Sequence, residues 1–476
     1  MQEVIRSVGI DIGTSTTQLI FSDITVENRA SSFSVPRISI VDKKVIYRSD
    51  IYITPLKSQT EIDADAVKAI VLDEYRKSGI GYSQVKTGAV IITGETARKE
   101  NANQVLSALS ELAGDFVVAA AGPDLESVLS ARGAGTDVIS EERRSIVANL
   151  DVGGGTTNIA VFHKGTLRGT GCLDIGGRLI KVDRGKISYI FHKTKALAES
   201  IGVNIEVGDE ADITALEKVT DAMASQLAQA VNLCTRNAEH KKLYTNDGTP
   251  LPIEMDIREL TFSGGVADFI YSVADSDYYR YGDIGPLLGR SIARNRSFAK
   301  AQIFKSNETI RATVVGAGTH TTEVSGSTIA YAQDILPVKN IPILRVPEED
   351  EAELDTLAQS IKEQIPYFVV GDKPELIAVS FTGKKYTSFE KIQTLAMAVI
   401  EGAGEVLRSK QPLILVVETD IGKSLGNALQ VILGQQTKVV CIDGIQTLSG
   451  DYIDIGEPIA GGHVVPVVIK TLIFNS

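Results

Sequence analysis

DIGTSTTQLIF, residues 11–21, has an echo in DVGGGTTNIAVF, residues 151–162. Asp11, Gly13, Thr16 and Thr17 return as Asp151, Gly153, Thr156 and Thr157, at a constant offset of 140 residues. A short apolar run precedes each copy and another follows it, so each reads as strand, tight Gly/Thr turn, strand. A period this long is not that of a solenoid. It predicts two similar lobes facing each other.

The residue types in these turns suit phosphate. Glycines let the backbone approach closely, and a tight turn aims N–H groups and threonine hydroxyls at the oxygens. Magnesium bound to phosphates keeps several waters and uses few protein carboxylates. One aspartate at the end of each strand can hold such waters from both sides, so the paired loops can clamp a nucleotide polyphosphate and its metal. A glycine turn with an aspartate cap is common by itself, but its duplication in phase points to function. No G-x-x-x-x-G-K-[ST] run is present, so this is not a P-loop. A third segment, FSGGVAD at 262–268, sets a glycine pair between strand and helix. A flat base and ribose can lie against such a backbone, although an ordinary βα turn reads the same way.

Outward from the two copies, strands alternate with helices, which predicts an α/β sheet protein. Residues 89–93 and 116–120 read as short buried strands. Residues 96–112 read as a helix with Val105, Leu109 and Leu112 on one side. Pro123 and early acids open another helix that ends at Gly133 to Gly135. Beyond the second copy a helix is expected from Gly176, a long amphipathic one over 211–239, and strand, glycine turn, helix over 260–270. Residues 312–319 form a small-residue segment suited to close backbone packing. Residues 335–347 carry three prolines and precede the acidic run 348–351, which together read as a solvated linker or exposed crossover. A third region then alternates helices (352–364, 389–406, 422–433) with strands (376–381, 413–418, 439–443) and ends in a strand pair through 464–474.

Composition narrows the function. The 476 residues suit two to four domains, at roughly 100–200 residues each. With 48 Lys+Arg against 60 Asp+Glu the formal net charge is -12, unsuited to general nucleic-acid binding, which needs cations on phosphates. Cys172, Cys234 and Cys441 stand far apart, and His163, His192, His240, His320 and His463 show no metal spacing. Inert thiols in a reducing cytosol are expected. No apolar stretch approaches the ~20 residues of a membrane helix, and the acid-bearing N-terminus is not a signal peptide. A cytoplasmic protein without membrane or nucleic-acid partners is expected.

Residues 11–18, 151–158 and 263–266 resemble the two phosphate motifs and the adenosine motif of the actin-like ATPase superfamily, which includes sugar kinases, heat-shock chaperone ATPases and actin. Residues 123–135 and 313–318 resemble its two connecting elements, where the lobes hinge. The resemblance implies an α/β actin-like ATPase fold of two duplicated lobes, 1–145 and 146–335, with an additional C-terminal α/β domain, 336–476. The likeness runs further. SVGIDIGTSTTQLIFS (7–22), IITGETARKENA (91–102), GDFVVAAAGPDLESV (114–128), CLDIGGRLI (172–180), RATVVGAGTHTTEVSGSTI (311–329) and GDYIDIGEPIAGGHVVPVVIKTL (450–472), together with 150–162, resemble the ethanolamine ammonia-lyase reactivating factors.

That family implies an ATP-dependent chaperone, a slow ATP hydrolase, for one client. Ethanolamine ammonia-lyase uses adenosylcobalamin and stalls when the adenosyl group is lost and damaged cobalamin stays bound. Its reactivating factors use ATP and Mg2+ to release the damaged cofactor so that adenosylcobalamin can rebind. Carried onto this chain, Asp11 and Asp151 position magnesium-bound water. Gly13, Thr14, Thr16 and Thr17 face the phosphates from one side; Gly153, Gly154, Gly155, Thr156 and Thr157 face them from the other. Gly264 and Gly265 lie at the adenosine of ATP or ADP. Glu126 orients the attacking water, or is simply an acid favoured at a helix N-terminus. Gly316 and Gly318 are hinge candidates, with close packing the equal alternative. The implied partner is ethanolamine ammonia-lyase and the implied location a bacterial microcompartment, with a homodimer left open. A small-molecule kinase on the same fold is the alternative, and a polymerising actin-like protein the third reading.

Overall fold

Strand β1 (Gln2–Ile12) runs into β2 (Thr16–Asn28) through a tight turn, and β2 continues antiparallel into β3 (Ile38–Arg48), with the short β4 (Tyr52–Ile53) also on β2. Helix α1 (Ala64–Ser78) then crosses to β5 (Thr87–Ile92), which lies parallel to β1, and β6 (Val117–Ala120) follows parallel to β5. The computed structural model describes residues 2–13, 16–28, 38–58, 61–93, 101, 105, 109, 117–120, 123–245, 250–252, 254–272, 277–320, 322–326, 329–332, 334–370, 373–374, 376–434, 437–448 and 451–471. The first sheet has the order β3-β2-β1-β5-β6. Local chemistry sets α1: the Asp63 side chain accepts from the Ala66 N–H at its start, and Gly79, at φ 69°, ends it in the left-handed conformation. Val8, Ile10, Ile12, Phe21, Val67, Val71 and Val90 form the core, which Val105 and Leu109 join as their spacing predicts; Leu112 lies outside the described residues.

Helices α2 (Pro123–Ala134) and α3 (Thr136–Arg143) lead into the second copy. Here β7 (Ile146–Val152), β8 (Thr157–His163) and β9 (Thr166–Leu173) are successive antiparallel strands, and a separate hairpin, β10 (Ile180–Asp183) with β11 (Lys186–Ile190), follows. After α4 (His192–Ser200) and α5 (Ile213–Ala230), β12 (Glu259–Ser263) joins β7 in parallel. Helices α6 (Ala267–Tyr271) and α7 (Gly285–Arg294) follow, and β13 (Gln302–Ile303) lies parallel to β12. The order β9-β8-β7-β12-β13 repeats that of the first sheet strand for strand. The hairpins also share a register: Asp11 opposes Gln18 and Ile12 opposes Thr17, as Asp151 opposes Asn158 and Val152 opposes Thr157. The duplication predicted from 11–21 and 151–162 is therefore a duplication of topology.

Helix α8 (Ala312–His320) returns to the first sheet, where Val314 and Val315 pack on Ile20. Helix α2 instead lies on the second sheet, with Val128 and Ala131 against Ala160 and Phe162. The two connecting helices thus cross between the sheets. They touch backbone to backbone: a Cβ on Gly133 would meet the Ala312 carbonyl, and one on Gly316 the Leu129 carbonyl.

The third sheet takes in β14 (Thr322–Val324) and β15 (Ala330–Tyr331), which lie before residue 336, and then β16 (Val338–Arg345). A small separate hairpin, β17 (Val369–Val370) with β18 (Lys373–Pro374), follows α9 (Leu354–Gln364). Strands β19 (Ala378–Phe381), β20 (Leu413–Val417) and β21 (Val439–Asp443) extend β16 in parallel, crossed by α9, by α10 (Phe389–Gly402) with α11 (Gly404–Arg408), and by α12 (Gly422–Leu433). These helices share one core with one face of the strands. Strands β22 (Asp451–Ile455) and β23 (Pro466–Thr471) continue antiparallel from β16 to β14, giving the order β14-β23-β22-β16-β19-β20-β21-β15. Ile453, Ile455 and Val467 share a second core with Ile343, Ile414, Val416 and Val440, so this half folds over the face the helices leave open. No helix among the described residues is long and apolar enough to cross a membrane.

Four expectations need correction. Residues 335–347 are not a linker: β16 lies mid-sheet with Ile341, Ile343 and Leu344 buried. Its one proline, Pro342, is tolerated because it follows the irregular stretch of pairing with β22 between Val338 and Ile341. The acidic run is not wholly solvated, since Glu351 is 2% exposed. Its carboxylate accepts from Thr382 N (2.6 Å), Gly383 N (3.1 Å) and Thr382 Oγ1 (2.6 Å), pinning the turn after β19. No helix begins at Gly176, because the Gly177 and Arg178 N–H groups donate to the Gly153 and Gly154 carbonyls. The helix expected over 211–239 stops as α5 at Ala230, and Asn232 takes a left-handed φ of 59°.

Candidate functional site

Asp11 and Asp151 end β1 and β7, next to the two tight turns, and are 8% and 5% exposed. The turns match: Gly13 N donates to Thr16 O at 2.9 Å and Gly153 N to Thr156 O at 3.0 Å. Each carboxylate is held by a hydroxyl from the parallel neighbour strand or just beyond it. Thr93 Oγ1 donates to Asp11 Oδ1 at 2.9 Å, and Ser263 Oγ to Asp151 Oδ1 at 2.7 Å. The Thr313 side chain, from α8, also bonds Asp151. Asp151 is thus gripped by its own sheet and by the helix that packs on the other one.

Burial raises the Asp11 carboxyl to about 7; the Thr93 bond opposes this, and the charge of Asp151 adds to it. Burial likewise raises Asp151 to about 6, against the Ser263 and Thr313 bonds. Two desolvated carboxylates close enough to feel each other favour a cation between them. Further oxygen donors stand beside them. Gln18 and Asn158, the cross-strand partners of Asp11 and Asp151, are 3% and 2% exposed. Their side-chain carbonyls, Oε1 and Oδ1, are buried without a hydrogen-bond partner among the described residues. An all-oxygen set of this kind fits a hydrated magnesium ion, which is hard and retains water. No group of three or more His, Cys, Asp or Glu among the described residues makes a direct metal cage.

In the second turn, the tie of Gly177 and Arg178 to the Gly153 and Gly154 carbonyls fixes the loop from behind. Gly155 has open space where a Cβ would be, and Thr156 begins beside it half-buried. Gly13 and Thr16 take the matching places in the first turn, and Thr14 lies outside the described residues. Thr17 and Thr157 do not share this face. Side chains alternate along a strand, so Thr16 and Gln18 face one way and Thr17 the other. Thr17 Oγ1 is buried against Thr54 Oγ1 at 3.1 Å, and Thr157 Oγ1 donates to Ile175 O at 2.7 Å. Both hydroxyls brace the turns from behind.

The third motif follows β12. Gly264 has a φ of 86°, and a Cβ there would meet the Val152 carbonyl, so the turn packs directly on the end of β7. Gly265 is exposed beside it. Glu126 lies half-buried in the first turn of α2, and its charge helps raise the Cys172 thiol to about 12, after burial as the main cause. It therefore sits toward β9, and neither aspartate's named hydrogen bonds include it. Gly316 and Gly318 are both packed tightly, against Leu129 and Gly9 respectively. Cys172 and Cys441 are buried free thiols, and Cys234 is partly buried.

Sequence reasoning missed Thr93, Thr313, Gln18 and Asn158 as site residues, and quoted Ser263 without giving it a role. Gln18 and Asn158 had a signal: an amide recurs at the same offset from each aspartate, in phase with the repeat. Thr93 and Thr313 had none, since each reaches its aspartate from a distant stretch of chain.

Comparison with known proteins adds the following. The family model described as ethanolamine utilisation protein EutA matches residues 3–475. The ethanolamine ammonia-lyase reactivase EutA of Salmonella typhimurium (strain LT2) is 35% identical over 476 residues, covering 99% of this chain and 98% of that one. Its counterpart from Escherichia coli (strain K12) is 36% identical over 484 residues, with the same coverage of 99% and 98%. Among solved structures, the ethanolamine utilization protein EutJ from Carboxydothermus hydrogenoformans aligns with 66% of this chain and 88% of its own, at 17% identity and a TM-score of 0.32. That last likeness is too loose to bear on function.

Proposed function

The chain belongs to the ethanolamine utilisation protein EutA family, and from that premise we propose that it is an ATP-dependent reactivating factor for ethanolamine ammonia-lyase. It releases damaged cobalamin from the inactivated lyase so that adenosylcobalamin rebinds. The observation that carries the nucleotide part is the pair of buried aspartates, each at the end of a duplicated strand–turn–strand and each beside a buried amide carbonyl.

Asp11, Asp151, Gln18 and Asn158 hold the hydrated magnesium of ATP, which neutralises phosphate charge. Gly13 and Thr16 approach the phosphates from one lobe, with Thr14 beside them; Gly153, Gly154, Gly155 and Thr156 approach from the other. Gly264 and Gly265 carry the adenosine. Slow hydrolysis uses Glu126 to orient water. The crossed helices α2 and α8 carry the difference between nucleotide states out of the cleft. ATP and ADP favour different lobe positions, and a client gripped better in one state is released in the other. Only differential affinity can do such work.

The test is a recovery assay. Ethanolamine ammonia-lyase blocked with cyanocobalamin is mixed with this protein, ATP, Mg2+ and adenosylcobalamin, and ammonia release is followed. Recovery that requires nucleotide and is lost in Asp11→Ala supports the proposal. An intact lyase control with no recovery, while ATP still binds, overturns the client assignment; a search for alcohol-stimulated ATP turnover then tests the kinase reading.

A further inference from the structure

The two lobes share topology and hairpin register, yet they differ two residues before each aspartate. The first lobe has Gly9 there, pressed by α8 so closely that a Cβ would lie 2.9 Å from Gly318 N. The second has Asn149, fully buried. From Asn149 an unbroken hydrogen-bond chain runs in both directions. Thr136 Oγ1 and Thr261 Oγ1 are 2.7 Å apart, Thr261 Oγ1 donates to Asn149 Oδ1 at 2.9 Å, Asn149 Nδ2 donates to Ser263 Oγ at 2.9 Å, and Ser263 Oγ donates to Asp151 Oδ1 at 2.7 Å. Thr136, Thr261, Asn149 and Ser263 are all 0% exposed.

The direction of every proton in this chain follows from donor counting. An ionised Asp151 only accepts, so it takes the single Ser263 proton. Ser263 then accepts from an amide nitrogen, which turns the Asn149 carbonyl toward Thr261. Thr261 spends its proton on that carbonyl and must accept from Thr136. An amide nitrogen cannot accept, so Ser263 has no way to turn its proton back toward Asn149. The far end, Thr136, is the first residue of α3, directly after Gly135, where α2 ends; the Asn307 N–H binds the Ala134 carbonyl at the same corner, at 3.0 Å.

We propose that Thr136, Thr261, Asn149 and Ser263 are positioning residues for Asp151: a one-way donor relay that fixes its Oδ1 as acceptor and ties it to the corner between α2 and α3. The proposal rests on the nucleotide-site reading above and deepens it, because it ties the second aspartate to the α2–α3 corner in addition to α8. Buried chains of this kind strengthen cooperatively, so removing a distant member is felt at the end.

The decisive variant is Thr136→Val in the full-length protein. It keeps shape, removes one hydroxyl and lies four hydrogen bonds from Asp151. Expected is a fall of about 3- to 10-fold in kcat or in Mg·ATP affinity, the range of one lost neutral hydrogen bond. Thr136→Ser restores it. The double variant Thr136→Val/Ser263→Ala loses no more than Ser263→Ala alone, because both interrupt one chain. Asn149→Asp, nearly isosteric, accepts the Ser263 proton and draws it off Asp151; it causes the largest loss if it folds, which a thermal melt establishes. A separate readout, the carboxyl 13C resonance of Asp151 in labelled protein, moves in Thr136→Val whether or not ATP is turned over. Wild-type kinetics, Mg·ATP affinity and Asp151 resonance in a Thr136→Val protein with only a lowered Tm overturn the relay. A resonance moved by Thr136→Val, where the wild-type protein itself never binds ATP, overturns the nucleotide reading and leaves the relay standing.

Discussion

Asp11 is the residue at which burial and function oppose each other most clearly. Its carboxyl, ordinarily at 3.8, is raised to about 7, chiefly by burial. A carboxyl raised in the folded state contributes stability that is fully present below its unfolded value, near 4, and lost as pH rises through about 7. The magnesium- and nucleotide-free protein is therefore expected to lose about 5 °C in Tm between pH 5 and pH 8 in EDTA. Asp11→Asn flattens that slope, and a slope unchanged in the variant refutes the assignment. For ligand the sign reverses: Mg2+ must displace the proton, so its affinity, followed by titration calorimetry, rises from pH 6 to pH 8. At the same scale, Gly155→Ala separates binding from folding. Nothing stands within 4 Å of the added methyl, so Tm is expected to hold while Mg·ATP affinity falls as the turn backbone is screened.

Helices and strands carry a second class of prediction. At the crossing of α2 and α8 the added carbon of Gly316→Ala runs into the Leu129 carbonyl, a backbone atom that cannot swing aside. Forcing the helices apart costs about 1–3 kcal/mol and loosens the Thr313 grip on Asp151, so denaturation midpoint and ATP affinity are expected to fall together. A fall in stability with unaltered affinity would show that the crossing is packing alone. In the third sheet, Glu351→Ala strips acceptors from Thr382 N and Gly383 N and is expected to destabilise by about 2–4 kcal/mol in urea melts. Glu348→Ala, three residues earlier and paired with the exposed Lys384, is expected to change nothing measurable. That contrast was not legible in the acidic run itself: four adjacent acids look alike in sequence, and only the turn after β19 decides which one is buried.

On the scale of the whole molecule, the third sheet is joined to the crossed helices. Val468 of β23 shares a core with Ala89 and Ile91 of β5, Leu129 of α2 and Ala317 of α8. The Glu3 carboxylate accepts from Ala460 N at 2.5 Å, and Ile459 packs with Ile5, Ile24 and Val26. Val468→Asp is therefore expected to weaken ATP binding several-fold as well as lower Tm, although it lies far along the chain from every nucleotide motif. Wild-type ATP affinity in a folded Val468→Asp protein would show that the third sheet does not act on the nucleotide cleft.

What the sequence determined by itself was set by residues near one another. The in-phase Asp, Gly and Thr positions specify two matching hairpins, because turn geometry and strand alternation act over a few residues. Alternating apolar runs and helix periods likewise specify the succession of helices and strands after residue 352, with α9, α12, β20 and β21 close to their expected bounds. The prolines at 337, 342 and 347 misled for the same reason: they report local backbone preference, and mid-sheet burial of Ile341 and Ile343 outweighed it. Only the tertiary structure decided that Thr17 and Thr157 brace the turns from behind, that Thr93 and Thr313 hold the aspartates, and that Asn149 links Asp151 to the α2–α3 corner. Those contacts join residues tens to hundreds of positions apart, where no periodicity reaches. They exist because two twisted sheets and two crossed helices close-pack, and a buried hydroxyl or amide then takes whichever partner that packing leaves within reach.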